Sequence, residues 1–267
     1  MKGFKGIGLA DVQEVYSGPE GDLWELVMGE QIHIGGFASS MDLAERAGIG
    51  SGMCGIDLCC CNGAGMRFLI RFRNVDRMVG VDVTEKVINQ GVERCAAEGL
   101  GDRISFGLSD VTASDLPSGE ADFVWGEDAW CYVEDKSKLI AEAVRMLKPG
   151  GTIAFTDWIE GSPGMSEEEA RRLFTFMKFP GIQDLAGYRS LLEGNGCEVL
   201  VAQDTGRFAP HVDLYLNMLS MQLTYDALKI IGFDTELMGA LSGEMVHMQN
   251  LAHAGKIAQG IFVARKK

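Results

Sequence analysis

The stretch Asp57-Leu58-Cys59-Cys60-Cys61-Asn62-Gly63 places an acidic residue at the end of an apolar run and a turn of small residues directly after it. A strand-end carboxylate accepts hydrogen bonds from a ligand, and small turn residues let that ligand approach the backbone. A helix beginning near Ala64 would aim its first amides at the same place. Asp82, with Val83 beside it, closes the next apolar run 25 residues further on, in position to accept from both hydroxyls of a ribose. Asp110 ends a third run with Val111 behind it, where a carboxylate can take an adenine amino group while a backbone amide donates to the ring. A fourth run opens into Trp125-Gly126-Glu127-Asp128-Ala129, and Lys148-Pro149-Gly150-Gly151 precedes a fifth.

Side chains spaced in this way need a scaffold that gathers strand ends. The sequence predicts strands over 54–58, 78–83, 104–108, 121–125 and 152–157, alternating with helices, the pattern of βαβ units in a parallel sheet. One helix over 85–98 carries Val87, Ile88, Val92 and Cys95 as its apolar stripe, with Gly99 as its C-cap. Another, over 136–147, stops where Pro149 cannot continue it. Helices over 166–178, 187–194, 212–230 and 236–254 follow, with strands over 197–202 and 260–265. The expected fold is α/β: a Rossmann-like, seven-stranded, mostly parallel sheet flanked by helices, in one domain over 1–267. A helical cap occupies 1–52, the core 53–157, and a helical lid insertion with the last two strands 158–267.

With 267 residues, 46% of them hydrophobic, the chain can bury a sizeable core. No apolar stretch approaches the roughly 20 residues that cross a bilayer, so no membrane segment is expected. Early charges at Asp11, Glu14 and Glu20 argue against an export signal, and an odd count of 7 cysteines fits free thiols in a reducing, cytoplasmic setting. A net charge of −14 without a basic cluster makes nucleic acid a poor partner and a small molecule a better one. Monomer and homodimer both accord with the sequence. Cys59, Cys60 and Cys61 do not predict a metal site, because adjacent side chains diverge and no nearby histidine completes a tetrahedral set.

The ordered motifs over 52–157 resemble the class I S-adenosylmethionine (SAM)-dependent methyltransferases. The ribose-binding features alone would fit a dinucleotide too; the motifs at Asp110, Glu127 and Lys148 favour SAM. The resemblance implies cofactor contacts from Asp57, Cys59, Cys61, Gly63, Asp82, Val83, Asp110, Val111 and Glu127. The first motif departs from the family pattern, since Cys59 and Cys61 stand where two glycines are usual, and a positive φ at either would strain a residue that has a Cβ.

The segments Val15-Tyr16-Ser17, Leu23 to Glu30 and Ile32 to Gly36 resemble the opening of the sarcosine/dimethylglycine and phosphoethanolamine N-methyltransferases, as do Asp128 to Tyr132 and Gly255 to Phe262. There the opening closes over SAM and the methyl acceptor. Tyr16 matches a latching tyrosine of the phosphobase enzymes, and Tyr132 falls where those enzymes hold a histidine paired with it. Tyr16, Tyr132 and Asp128 are therefore the expected proton-handling residues, with Glu127 and Asp128 available to an ammonium. Trp24, His33, Trp130 and His211 are expected substrate contacts. Arg172, Lys178, Arg189 and Arg207 are candidate clamps for an acceptor carboxylate. N-methylation of an amine or amino acid, such as a glycine derivative, is the leading expectation. Methylation of sulfur, oxygen or carbon, or SAM binding without catalysis, are the alternatives, with a dehydrogenase as the residue.

Overall fold

The structure, a computed structural model, describes residues 2–3 and 6–267; Met1, Phe4 and Lys5, at the start of the expected cap, lie outside them. In chain order the strands are β1 (Lys2–Gly3), β2 (Cys54–Leu58), β3 (Arg77–Asp82), β4 (Ile104–Leu108), β5 (Ala121–Glu127), β6 (Leu147–Glu160), β7 (Gly181–Ile182), β8 (Cys197–Asp204) and β9 (Ile257–Lys266). The helices are α1 (Leu9–Ser17), α2 (Pro19–Met28), α3 (Gly36–Arg46), α4 (Ala64–Arg73), α5 (Glu85–Ala97), α6 (Lys136–Met146), α7 (Glu167–Met177), α8 (Leu185–Gly194), α9 (Phe208–Ser220), α10 (Thr224–Ile230) and α11 (Thr235–His253).

Seven strands form one sheet in the order β4-β3-β2-β5-β6-β9-β8, in which β9 alone runs antiparallel to its neighbours β6 and β8. Strand order reverses between β2 and β5, whose carboxyl ends flank the crevice where open α/β sheets bind ligands. Leu58, Trp130, Phe155 and Phe262 belong to the core cluster on one side of the sheet, and Leu69, Phe123 and Trp125 to another. A third cluster joins α2, α7, α9 and α11 through Val27, Phe174, Tyr215 and Met248. Several helices start on side-chain caps: Ser166 and Glu169 close a reciprocal capping box on α7, and Asp135, Asp184 and Asp234 cap α6, α8 and α11.

Three local readings change. Val92 is 49% exposed, and Gly91 turns inward instead, where a Cβ would meet the Phe106 ring at 2.7 Å and the Asn62 carbonyl at 2.9 Å. The single helix expected over 212–230 is two, because the Leu223 amide turns back to the Met218 carbonyl (2.8 Å) and closes α9 before α10 begins. The Lys148 to Gly151 turn lies inside β6 as a bulge: Ala121 pairs with Leu147 but Phe123 with Thr152, and Gly150 takes φ +77°. The two-residue strands β1 and β7, paired antiparallel, are too short to leave a sequence pattern.

Candidate active site

The turn after β2 follows the path of a glycine turn although it carries cysteines. Cys59 and Cys61 have φ +63° and +48°. Cross-bonds to β3 hold them there: the Cys59 and Cys60 amides donate to the Val81 carbonyl (2.9 and 3.1 Å), and the Cys61 amide to Asp82 Oδ2 (3.0 Å). Gly80 makes the room, since a Cβ there would sit 2.6 Å from Cys60 Sγ. Gly63, at φ +75°, caps α4. Burial raises all three thiols, Cys61 to about 12, so they stay protonated and are poor nucleophiles and metal ligands. Among the described residues no His/Cys/Asp/Glu group is arranged to hold a metal.

A cavity of about 280 Å³ opens at this turn. Asp57 lies on its floor, 4% exposed, and its carboxylate, unlike its ladder-paired backbone, makes no hydrogen bond to any described residue. Burial, with Glu127 and Asp82 nearby, holds its carboxyl well above the usual range. Gly65 fits between the groups it faces: a Cβ there would lie 3.1 Å from Glu127 Oε2 and 3.3 Å from Asp57 Oδ2. Glu127 is fixed from two sides, by Ser40 Oγ donating to Oε1 (2.6 Å) and Trp125 Nε1 to Oε2 (3.1 Å). His33 Nε2 stands 3.3 Å from Oε1.

Asp82 has a double task, as each oxygen already accepts one amide, Oδ2 from Cys61 and Oδ1 from Thr84 (2.9 Å). Its remaining lone pairs are what a vicinal diol would use. Asp110 Oδ1 takes both the amide and the hydroxyl of Thr112 (2.8 Å each), leaving Oδ2 uncommitted. A buried, unpartnered carboxylate beside a second one suits a ligand bearing positive charge. A strand-end carboxylate and the start of α4 suit its ribose and polar tail. These residues fit SAM.

The cap completes the chamber. Leu9, Val12 and Tyr16, one face of α1, line it together with Gln31, Ile32 and His33. Tyr16 Oη donates to Tyr132 Oη (3.1 Å), with the rings edge to face at 5.6 Å. Burial raises both phenols, so neither ionises near neutral pH. Gln13 Nε2, donating to the Val83 carbonyl (2.8 Å), ties α1 to the end of β3.

Residues 56–155 match the family model described as a methyltransferase domain. This segment is a methyltransferase domain. The chain is 26% identical over 203 residues (75% of this chain, 38% of the relative) to phosphoethanolamine N-methyltransferase 1 of Triticum aestivum. It is 30% identical over 199 residues (68% and 53%) to the sterol 24-C-methyltransferase of Eremothecium gossypii. It thus spans about half or less of the length of the curated relatives it matches. Its fold superposes with TM-score 0.83, at 22% identity and 93% and 98% coverage, on a Galdieria sulphuraria structure described as a candidate sarcosine dimethylglycine methyltransferase. Its fold also matches structures of Haemonchus contortus phosphoethanolamine N-methyltransferase 2 with S-adenosylhomocysteine and with SAM, at 18% identity and TM-scores of 0.83 and 0.81, covering 95% and 96% of this chain and 58% and 59% of those.

Of the residues expected at the site, the fold brings Asp57, Cys59, Cys61, Asp82, Val83, Asp110, Val111, Glu127, Asp128, Tyr16, Tyr132 and His33 to the cavity. Gly63 is not on its wall; it sets the helix start behind it. Asp128 lines the chamber, yet its oxygens are held by the Ile34 amide (2.8 Å) and Gln259 Nε2 (2.8 and 3.0 Å), so it fastens cap to sheet. Trp130 is fully buried, stacked on Phe155 at 4.1 Å, and Trp24 lines a separate apolar cleft with Phe176. The lid residues lie elsewhere: Arg172 pairs with Glu244 (2.9 Å), Arg189 with Glu193 (3.6 Å) and Arg207 with Asp42 (2.5 Å). Lys178 caps the end of α7, and His211 Nδ1 turns to the Arg207 carbonyl (2.8 Å). Sequence reasoning missed Ser40, Glu30 and Thr84. Ser40 left one signal, a buried polar residue on the inward face of α3.

Proposed function

We propose that the protein transfers a methyl group from SAM to the nitrogen of a small amine. The observation that carries this reading is the Tyr16–Tyr132 hydroxyl pair, kept protonated by burial, at the cap side of a carboxylate-lined cavity. SAM supplies, when bound, an electrophilic methyl group on a sulfonium. Asp57 and Glu127 receive the positively charged end of the cofactor, Asp82 its ribose and Asp110 Oδ2 the adenine amino group. Tyr16 donates its hydroxyl hydrogen bond to Tyr132 Oη, which leaves the Tyr132 hydroxyl hydrogen and a phenolic lone pair to hold the acceptor in line.

Methyl transfer is an in-line displacement, so alignment and exclusion of water are the main tasks of the protein. The amine enters as its free base. Its lone pair forms the new N–C bond while the C–S pair stays with sulfur, and the resulting ammonium releases its proton to water. Val12 and Ile32 give the chamber apolar walls on the cap side. The names of the N-methylating relatives support nitrogen as the nucleophile. Incubation with methyl-labelled SAM and a panel of amines, thiols, alcohols and carbon acids tests the reading; label should appear on nitrogen, and label confined to thiol, hydroxyl or carbon acceptors would refute it.

A further inference from the structure

The charge census of the cavity bears on which amine enters. Eight carboxylate side chains line it against one lysine, Lys138, whose ammonium sits 3.6 Å from Asp135, and one histidine, His33, 3.3 Å from Glu127, with no arginine among the described lining residues. The arginines nearest in the fold are ion-paired and lie off the cavity wall. Arg67 pairs with Glu30 and Glu98, Arg94 with Glu25 (2.6 Å), and Arg207 with Asp42, although Nη1 of Arg94 and of Arg207 has no hydrogen-bond partner. Lys136 is 2% exposed and turns its ammonium to the Val133 (2.6 Å) and Cys131 (3.3 Å) carbonyls. The acceptor end, bounded by Leu9, Val12, Tyr16, Ile32 and Tyr132, offers hydroxyl oxygens and two aromatic faces, groups that suit a compact amine.

We propose that the acceptor is an amine bearing no phosphate or carboxylate, such as an amino alcohol, an alkylamine or an amino-acid amide. This rests on the N-methyltransferase reading and narrows it. A phosphate or carboxylate entering the chamber would pass a carboxylate-rich wall and find on it no guanidinium, and no ammonium but that of the largely exposed Lys138. A cationic or neutral amine meets the opposite field. The acceptor class so defined differs from the phosphobase named for the curated relatives and from the amino acid named for the structural one.

Matched acceptors differing in the anionic group alone test this: ethanolamine against phosphoethanolamine, and glycinamide against glycine, with the full chain, saturating labelled SAM and fixed ionic strength. The uncharged-tail member of each pair should show kcat/KM at least about tenfold higher. Equal values, or preference for the anionic member, would overturn the acceptor class while leaving N-methylation standing. Transfer to neither member, with SAM bound and label appearing on thiols or alcohols, would instead overturn the N-methyltransferase reading and this inference with it. Ile32→Lys places an ammonium on the cavity wall and should narrow the ratio about tenfold. An unchanged ratio in a folded, SAM-binding Ile32→Lys protein would show that charge is not what selects.

Discussion

Cys61→Gly isolates the strain in the cofactor turn. Cys61 has φ +48°, and holding a residue with a Cβ in the left-handed region costs about 1–2 kcal/mol, which glycine avoids. Glycine loses more conformational freedom on folding, about 0.5–1 kcal/mol. Unlike Cys59, the Cys61 thiol is not packed against the main core cluster, and the bond to Asp82 comes from its backbone amide, which the substitution keeps. The balance is a gain of roughly 0.5–1 kcal/mol, or a rise in Tm of about 1–3 °C for a domain of this size. Cys61→Ala retains the Cβ and should show no gain. Thermal unfolding of both variants, with SAM titrated into each, measures these shifts, and SAM affinity should stay within about threefold in Cys61→Gly. A stability loss above about 1 kcal/mol would mean that packing of the thiol outweighs the backbone strain, and SAM binding weakened about tenfold would mean that the thiol itself is a binding group.

Tyr132→Phe should lower kcat about 10–100-fold while SAM affinity stays within about twofold, because the ring keeps its packing against Phe179 and only the hydroxyl is lost; equal losses in both would return the residue to a structural role. Asp128→Ala removes the acceptor for the Ile34 amide and Gln259 and should cost about 2–4 kcal/mol in denaturant unfolding, with new proteolysis near residues 30–35; a loss below about 0.5 kcal/mol would show that the cap is held by other contacts. Burial pushes Asp157 up to about 6, so the folded state binds its proton more tightly than the unfolded state does. That contribution to stability is fully present below about pH 4 and is lost as pH rises through about 6. Asp157→Asn should flatten the pH dependence of the unfolding midpoint in that window, and parallel curves would contradict the assignment.

The acidic strand ends were legible because each closes a run of apolar residues: Asp57, Asp82 and Glu127 all reach one crevice once the strands lie parallel. Partners distant in sequence were not. Arg172 and Arg207 belong to lid segments, and only ion pairs spanning 72 and 165 residues take them away from the chamber. Trp130 and Tyr132 stand two apart, and on the 3-10 turn over Trp130–Tyr132 successive side chains point about 120° apart. One therefore packs in the core while the other faces the cavity. Gly91 in place of Val92 on the inward face of α5 follows from the closeness of Phe106, a tertiary contact that helical periodicity does not carry.

A crystal structure with S-adenosylhomocysteine bound would test the central claim most directly. The account predicts the amino group of the ligand between Asp57 and Glu127, its ribose hydroxyls on Asp82, and its sulfur facing the chamber of Tyr16 and Tyr132. Ligand density in the Trp24 cleft, or none at the Asp57 turn at saturating concentration, would contradict it.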